Sequence, residues 1–215
     1  MSMFKDRVEA GKRLAEKLKA DLGVIDPRGA VVLGIPRGGL AISKEINLAF
    51  QIPFDCLIIK KIPAPENKEL AIGAVGEGGV VVWEEKICRD LEVTTEYKQE
   101  IVKKKIEEFE KKENDFRLGK DVSGLKGKSV IIVDDGIATG ATIKAAVAVV
   151  KNFSPKEIII AVPVIALETL PEIKKIVDRV IYLEAPEMFF SLDQFYEDFR
   201  QLTDEEARNI LASSV

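Results

Sequence analysis

Apolar positions recur along the chain in two alternating rhythms. Val8, Leu14, Ala15, Leu18 and Leu22 fall at helical spacing, which predicts an amphipathic opening helix over residues 3–22. Ala30 to Ile35 is an unbroken apolar run of strand length, stopped by Pro36-Arg37-Gly38-Gly39. A helical pattern follows with Ile42, Ile46 and Phe50 on one face, and Phe54 to Ile59 predicts a second strand ending at Lys60-Lys61. Pro and Gly clusters punctuate residues 62–79, and Val80 to Trp83 reads as a strand of an arm or hairpin. Thr94 to Phe116 is long and highly charged, with Tyr97, Ile101, Ile106 and Phe109 as a thin apolar stripe, the signature of a helix with one solvated face. Beyond the turn at Gly124–Gly127, strands are predicted at 129–133, 157–164 and 179–183, separated by helices over 141–150 and 167–177.

Strands alternating with helices at this rhythm predict an α/β fold, a mainly parallel central sheet with helices on both faces. The 215 residues suit a single domain over 1–215, with an arm or flexible loop near 62–93 and a C-terminal tail near 184–215. Ligands in such folds gather beyond the carboxyl ends of the strands, where the Gly-rich loops of this chain fall.

Composition narrows the chemistry. With 32 basic and 36 acidic side chains the net charge is −4, so no basic excess exists to displace counterions from a nucleic acid, which argues against such a partner. The longest uncharged apolar stretch, Ile158 to Leu167, spans ten residues, against about 20 for a membrane helix. The charged N-terminus lacks the apolar run of a signal peptide, and Cys56 and Cys88 form neither a metal-type pair nor a disulfide framework. A soluble, cytoplasmic protein is therefore expected. Histidine is absent from the sequence, which removes His-based triads, bases and metal sites and leaves oxygen ligands for any metal.

The most informative segment is Val130-Ile131-Ile132-Val133-Asp134-Asp135-Gly136-Ile137-Ala138-Thr139-Gly140-Ala141-Thr142. A buried strand delivers two carboxylates to its exposed end, and a tight loop then feeds a helix whose N-terminal amides suit a phosphate. Thr139 and Thr142 add hydroxyl donors, while Gly136 and Gly140 allow the backbone close to an anion. The loop is not a Walker P-loop, because no Gly-Lys-[Ser/Thr] follows the glycine spacing. Paired acids beside a phosphate cradle suit a sugar phosphate.

The segment strongly resembles the phosphoribosyl diphosphate-binding motif of type I phosphoribosyltransferases. Two further segments are similar to that family in the same order. Gly34-Ile35-Pro36-Arg37-Gly38-Gly39 resembles its pyrophosphate loop, which often holds a cis peptide, and Lys60-Lys61 with the loop from Pro63 to Gly79 resembles its basic residue and mobile closing loop. The likeness runs from about residue 5 to 211 and points to a little-characterised branch of the family. It implies a small hood formed by the C-terminal tail, and a homodimer.

The resemblance implies transfer of a phosphoribosyl group from Mg²⁺-bound 5-phosphoribosyl 1-diphosphate to a small nitrogenous acceptor, with release of pyrophosphate. Asp134 and Asp135 would hold the ribose hydroxyls directly or through Mg²⁺, ligating the metal themselves or through water, and Arg37 with Lys60 or Lys61 would balance the leaving diphosphate. Pro36, Gly38 and Gly39 would bind that diphosphate, and Gly136 to Thr142 the 5′-phosphate. Ala138 stands where oxopurine enzymes of the family carry an acid, so a 6-oxopurine acceptor is disfavoured and no general base is named. Phe189, Phe190 and Tyr196 are candidates to stack the acceptor or, alternatively, to pack internally. Two other readings fit the same motifs: a non-catalytic regulator binding phosphoribosyl diphosphate or a nucleotide, and a phosphoribosyl diphosphate hydrolase.

Overall fold

A computed structural model describes residues 3–23, 25–68, 70–117 and 124–213, apart from the side chains of Asp115 and Arg117. The expected α/β architecture is the one observed. In chain order the elements are α1 (Arg7–Leu22), β1 (Ala30–Gly34), α2 (Gly38–Phe50), β2 (Phe54–Cys56), β3 (Lys60–Pro63), β4 (Ala71–Val75), β5 (Val81–Trp83), α3 (Glu85–Asp90) and α4 (Thr95–Arg117). Then come β6 (Ser129–Val133), α5 (Ala141–Lys151), β7 (Glu157–Val164), α6 (Leu170–Lys174), β8 (Arg179–Glu184) and α7 (Asp204–Ala212). Five strands form a parallel sheet in the order β2-β1-β6-β7-β8.

The unbroken apolar runs are explained by burial on both faces. Val31, Leu33, Val130, Ile132, Ile158 and Ile160 point to the side covered by α5 and α6. Their neighbours Val32, Ile131, Val133, Ile159 and Ala161 point to the side covered by α1 and α2. A strand whose successive side chains face two cores has no polar face to show, hence no alternation in its sequence.

The chain departs from β1 to β2 on one side and reaches β6 on the other. The carboxyl ends of β1 and β6 therefore flank the point where strand order reverses, the crevice that open α/β sheets use for ligands. Register fixes the level of both exits: Gly34 pairs with Val133, and the Ile35 amide donates to the Val133 carbonyl at 2.8 Å.

Three differences from the sequence-based expectation have physical causes. The expected closing loop Pro63–Gly79 is largely built in: Ala71–Val75 forms the central strand of a three-stranded antiparallel sheet, β3-β4-β5, with Ile72, Ala74 and Val75 buried. Glu77 is buried too, its carboxylate accepting from the Ile58 amide at 2.9 Å. The β3–β4 connection and the turn at Glu77–Gly79 lie outside the strands, and Glu69 lies outside the described residues. The helix expected over 167–177 is confined to Leu170–Lys174, because Pro171 lacks an amide hydrogen and so occupies the first turn after Thr169. Last, the tail contains α7, which packs Ala207 into the same core as β3, β4 and α4. Among the described residues no helix is long and apolar enough to cross a membrane.

α7 begins with a capping box. Thr203 Oγ1 accepts from the Glu206 amide at 3.1 Å, and the Glu206 carboxylate accepts from the Thr203 amide at 2.8 Å and from Arg200 at 2.7 Å. The Arg200 hydrogen bonds and then the cap amide hold the Glu206 carboxyl at about 2, below its ordinary 4.5. A depressed carboxyl contributes stability above its unfolded value and loses it as pH falls through its folded value. The α7 cap is therefore expected intact above pH 4.5 and lost on approach to about 2. Carboxyl carbon shifts followed against pH should put the Glu206 midpoint near 2, and Arg200→Ala should move it toward 4.5. A midpoint near 4.5 in the unmodified chain would contradict this arrangement.

Candidate active site

The two loops expected to bind substrate meet at the crevice. A cavity of about 540 Å³ is lined by Ile35, Pro36, Arg37 and Gly38 from the first loop and by Asp134, Asp135 and Thr142 from the second. Arg7, Lys112 and residues of the tail, including Phe199, Gln201 and Asp204, complete its wall. A second hollow, of about 190 Å³, is enclosed by Asp134 and the loop from Gly136 to Thr142. Asp134 and Thr142 line both spaces, so Asp134 stands between the larger compartment and the smaller one, with Asp135 on the larger side.

The smaller hollow is framed from outside. Ile137 bridges to Ile165, and the Thr169 hydroxyl donates to the Ala138 carbonyl at 2.5 Å. Gly140, at φ +74°, is the N-cap of α5 and offers no side-chain oxygen to the first-turn amides. Those amides have no partner within the helix and suit an anion, which the partial positive charge of the helix end favours.

The acids are held by a network. Asp134 Oδ1 accepts from the Asp135 amide at 2.9 Å. Burial and the neighbouring Asp135 carboxylate push the Asp134 carboxyl well above its ordinary range. Asp135 Oδ2 accepts from Arg7 Nε at 2.7 Å, with the two side chains 14% and 10% exposed. Arg7 also donates to the Arg200 carbonyl at 2.9 Å and lies over the Phe199 ring, 3.9 Å from its centroid. The Tyr196 hydroxyl donates to the Asp135 carbonyl at 2.6 Å, and burial pushes its pKa far above that of a free phenol.

On the opposite wall the Pro36–Arg37 peptide is cis. Arg37 donates to Gln201 Oε1 at 3.1 Å and lies 3.5 Å from Asp204 Oδ1. A side chain at Gly38 would overlap Asp135 Oδ2, and one at Gly39 would come within 2.5 Å of the Val133 carbonyl oxygen. The absent side chains let the first loop lie directly against the acid pair.

Most of the sequence-derived site is brought together here: Pro36, Arg37, Gly38, Gly39, Asp134, Asp135, Gly136, Ile137, Ala138, Thr139, Gly140, Ala141 and Thr142. Lys60 acts electrostatically on Lys112 from nearby. Lys61 is not brought to this cavity. Neighbouring residues of a strand point to opposite faces, and Lys61 lines a separate space of about 510 Å³ with Lys68, Tyr97, Lys104 and Lys105. Of the stacking candidates, Tyr196 is buried against Phe4 and Phe199, Phe189 packs on Phe195, and Phe190 is 84% exposed. Sequence reasoning missed Arg7, Lys112, Gln201 and Asp204, which reach the site from helices and a tail distant in sequence. Lys112 falls on the apolar stripe of α4, three residues after Phe109 and four before Phe116; no local spacing signals the other three.

Residues 2–200 match the family described as the phosphoribosyl transferase domain. The chain belongs to this family. The phosphoribosyl transferase domain has two curated relatives in Mycobacterium tuberculosis, each named Putative phosphoribosyl transferase: MT0597 of strain CDC 1551 / Oshkosh and Rv0571c of strain ATCC 25618 / H37Rv. Each is 36% identical over 206 residues, covering 96% of this chain and 46% of the relative. The chain thus spans about half the length of these relatives. Among solved structures, TT1426 from Thermus thermophilus superposes with a TM-score of 0.87 at 36% identity, over 98% of both chains. The AQ2163 protein of Aquifex aeolicus shares the fold, with a TM-score of 0.54 at 18% identity over 97% of this chain and 86% of that one.

The close approach at Gly39 yields a stability prediction for this phosphoribosyl transferase domain. Gly39→Ala forces a methyl against the Val133 carbonyl and Asp134 Cα, backbone atoms that cannot swing aside. A loss of about 1–3 kcal/mol is expected in urea unfolding. Gly29→Ala, whose nearest neighbour would be 3.9 Å away, should stay within about 0.5 kcal/mol. Equal midpoints for the two variants would show that the two loops do not abut as described.

Proposed function

We propose that the domain transfers a phosphoribosyl group from Mg²⁺-bound 5-phosphoribosyl 1-diphosphate to a nitrogenous acceptor, releasing pyrophosphate. The observation that carries this reading is the position of the acid pair: Asp134 lines both the α5-loop hollow and the Arg37-loop cavity, and Asp135 lines the latter. A substrate with a monophosphate at one end, a diol in the middle and a diphosphate at the other matches that order. In the reaction the acceptor nitrogen's electron pair forms a bond to C1. The C1–O bond breaks and its electrons leave with pyrophosphate.

The residues contribute mainly position and charge. First-turn amides of α5, with Thr139 and Thr142, hold the 5′-phosphate. Asp134 and Asp135 orient the ribose hydroxyls, and Arg7 fixes the Asp135 carboxylate. Arg37 faces the diphosphate with its forked donors, exchanging contacts to Gln201 and Asp204 for phosphate oxygens. The acid pair fits Mg²⁺: a buried carboxyl crowded by its neighbour's charge is relieved by a divalent cation, and magnesium needs few protein ligands. Asp134 and Asp135 would hold it, directly or through water; when bound it supplies positive charge to the diphosphate. Tail residues Phe199 to Leu202 close the open side as the hood would, limiting water at C1.

Pyrophosphate release measured with and without a panel of nitrogenous acceptors tests the reading. Release that depends on an acceptor supports it; release into water alone points to a hydrolase; binding without turnover points to a regulator. Two variants test the division of the site. Thr139→Ala should weaken ribose 5-phosphate binding by roughly tenfold, the scale of one hydrogen bond to an anion, while Arg37→Ala leaves it nearly unchanged. Calorimetry showing equal weakening by both would refute the two-loop assignment. Asp135→Asn should lower turnover by about 10²-fold, since it removes a preorganised charge facing a developing cation.

A further inference from the structure

We propose that Lys112, on the long charged helix α4, is a direct ligand of the substrate's diphosphate; this rests on the function proposed above. Three observations lead to it. Lys112 lines the same cavity as Arg37, Gly38, Asp134 and Asp135, although α4 belongs to neither substrate-binding loop. It also sits at core spacing along its helix. Phe109 and Phe116, three residues before it and four after, are both buried in the core shared by α4, β3, β4 and α7. Residues three and four apart share a helix face, so a lysine here occupies the inward stripe rather than the solvated side.

The third observation is its electrostatic setting. Among the described residues no carboxylate forms an ion pair with Lys112, and its aromatic neighbour is the Phe116 ring, 5.6 Å from Nζ. Burial lowers its affinity for a proton, Lys60 and Arg37 lower it further, and Asp204 acts in the opposite sense. Asp204 also lies 3.5 Å from Arg37, so that carboxylate is shared between Arg37 and Lys112. A half-buried ammonium held among like charges is costly unless an anion joins it. The diphosphate supplies several negative oxygens at the wall where Arg37 and Lys112 converge. An ammonium on a rigid helix is preorganised for that task, whereas one on a loop must first be ordered.

Binding of two halves of the substrate tests the role without any acceptor. Calorimetry with Mg²⁺-pyrophosphate and, separately, ribose 5-phosphate is run on the unmodified domain, Lys112→Met and Lys112→Arg. Lys112→Met keeps most of the apolar stem and deletes the charge. It should weaken pyrophosphate by about 10- to 100-fold, the range of one charge-assisted hydrogen bond, and leave ribose 5-phosphate within about twofold. Lys112→Arg should restore much of the pyrophosphate affinity. Retained ribose 5-phosphate binding shows that the variant is folded. Equal pyrophosphate affinity for Lys112→Met and the unmodified domain overturns the role of Lys112 and leaves the proposed function standing. Weakening of both ligands alike by Lys112→Met assigns the residue to packing and also overturns it. Failure of the unmodified domain to bind either half overturns the proposed function itself.

Discussion

Two carboxylates leave the middle strand of a sheet that is buried on both faces, and they leave it side by side. Asp134 is half-buried with Asp135 next to it, and that neighbouring carboxylate makes the Asp134 charge harder to sustain. Much of the surrounding structure answers that repulsion. Arg7 crosses from the opening helix to bond Asp135, its guanidinium is held against Phe199, and its second contact ties down the Arg200 carbonyl. Tyr196 adds a hydroxyl on the Asp135 main chain. Removing one partner of a buried ion pair typically costs about 3–5 kcal/mol, because the other charge is left without water or counterion. The acids therefore organise the N-terminal helix and the tail around themselves, and the same demand for positive charge underlies the Mg²⁺ role proposed for them.

What the sequence revealed and what it concealed divide along the reach of each signal. The five parallel strands were legible because burial on both faces writes a continuous apolar run, as in Val130 to Val133 and Ile158 to Val162. The loop between β6 and α5 was legible because its parts are consecutive: strand, two acids, glycines, threonines, helix. Arg7 and Lys112 were not, because each looks like an ordinary charged residue on an amphipathic helix until tertiary packing turns it inward. Lys60 and Lys61 could not be told apart, since adjacent residues differ only in which face the strand finally presents. The pleat of β3 assigns them. The closing loop was overextended because Gly73, Gly76, Gly78 and Gly79 suggest flexibility. Gly73 instead permits Val82 and Trp83 to approach the β4 backbone, and that is a packing requirement. α7 had a readable cap, Thr203 and Glu206 at the capping-box spacing, in a stretch otherwise read only as tail.

Charges of both signs are gathered in the site. Net charge over the chain is −4, and the larger site cavity sets Arg7, Arg37 and Lys112 beside Asp134, Asp135 and Asp204, with Lys60 close by. Approaching anions respond to this local field at short range, because salt screens distant charges within about 8–10 Å. A cleft that sets cations beside carboxylates is compatible with the substrate proposed above, which pairs anionic phosphates with a diol. The net acidic chain offers much less to a long nucleic acid.

The contact between Arg7 and the Arg200 carbonyl joins positions 193 apart in the chain. Phe4 likewise bridges to Tyr196. The polypeptide must extend to residue 200 before these contacts can form. A growing chain emerges from the ribosome in order, and domains fold as their segments become available. The strand bearing Asp134 and Asp135 is made well before Tyr196, Phe199 and Arg200, so throughout that interval the Asp135 main chain lacks its tyrosine and Arg7 lacks its aromatic shelf. The geometry of the acids is thus tied to synthesis reaching residue 200, and a product terminated before that point would carry the recognisable loop without the frame that surrounds it here.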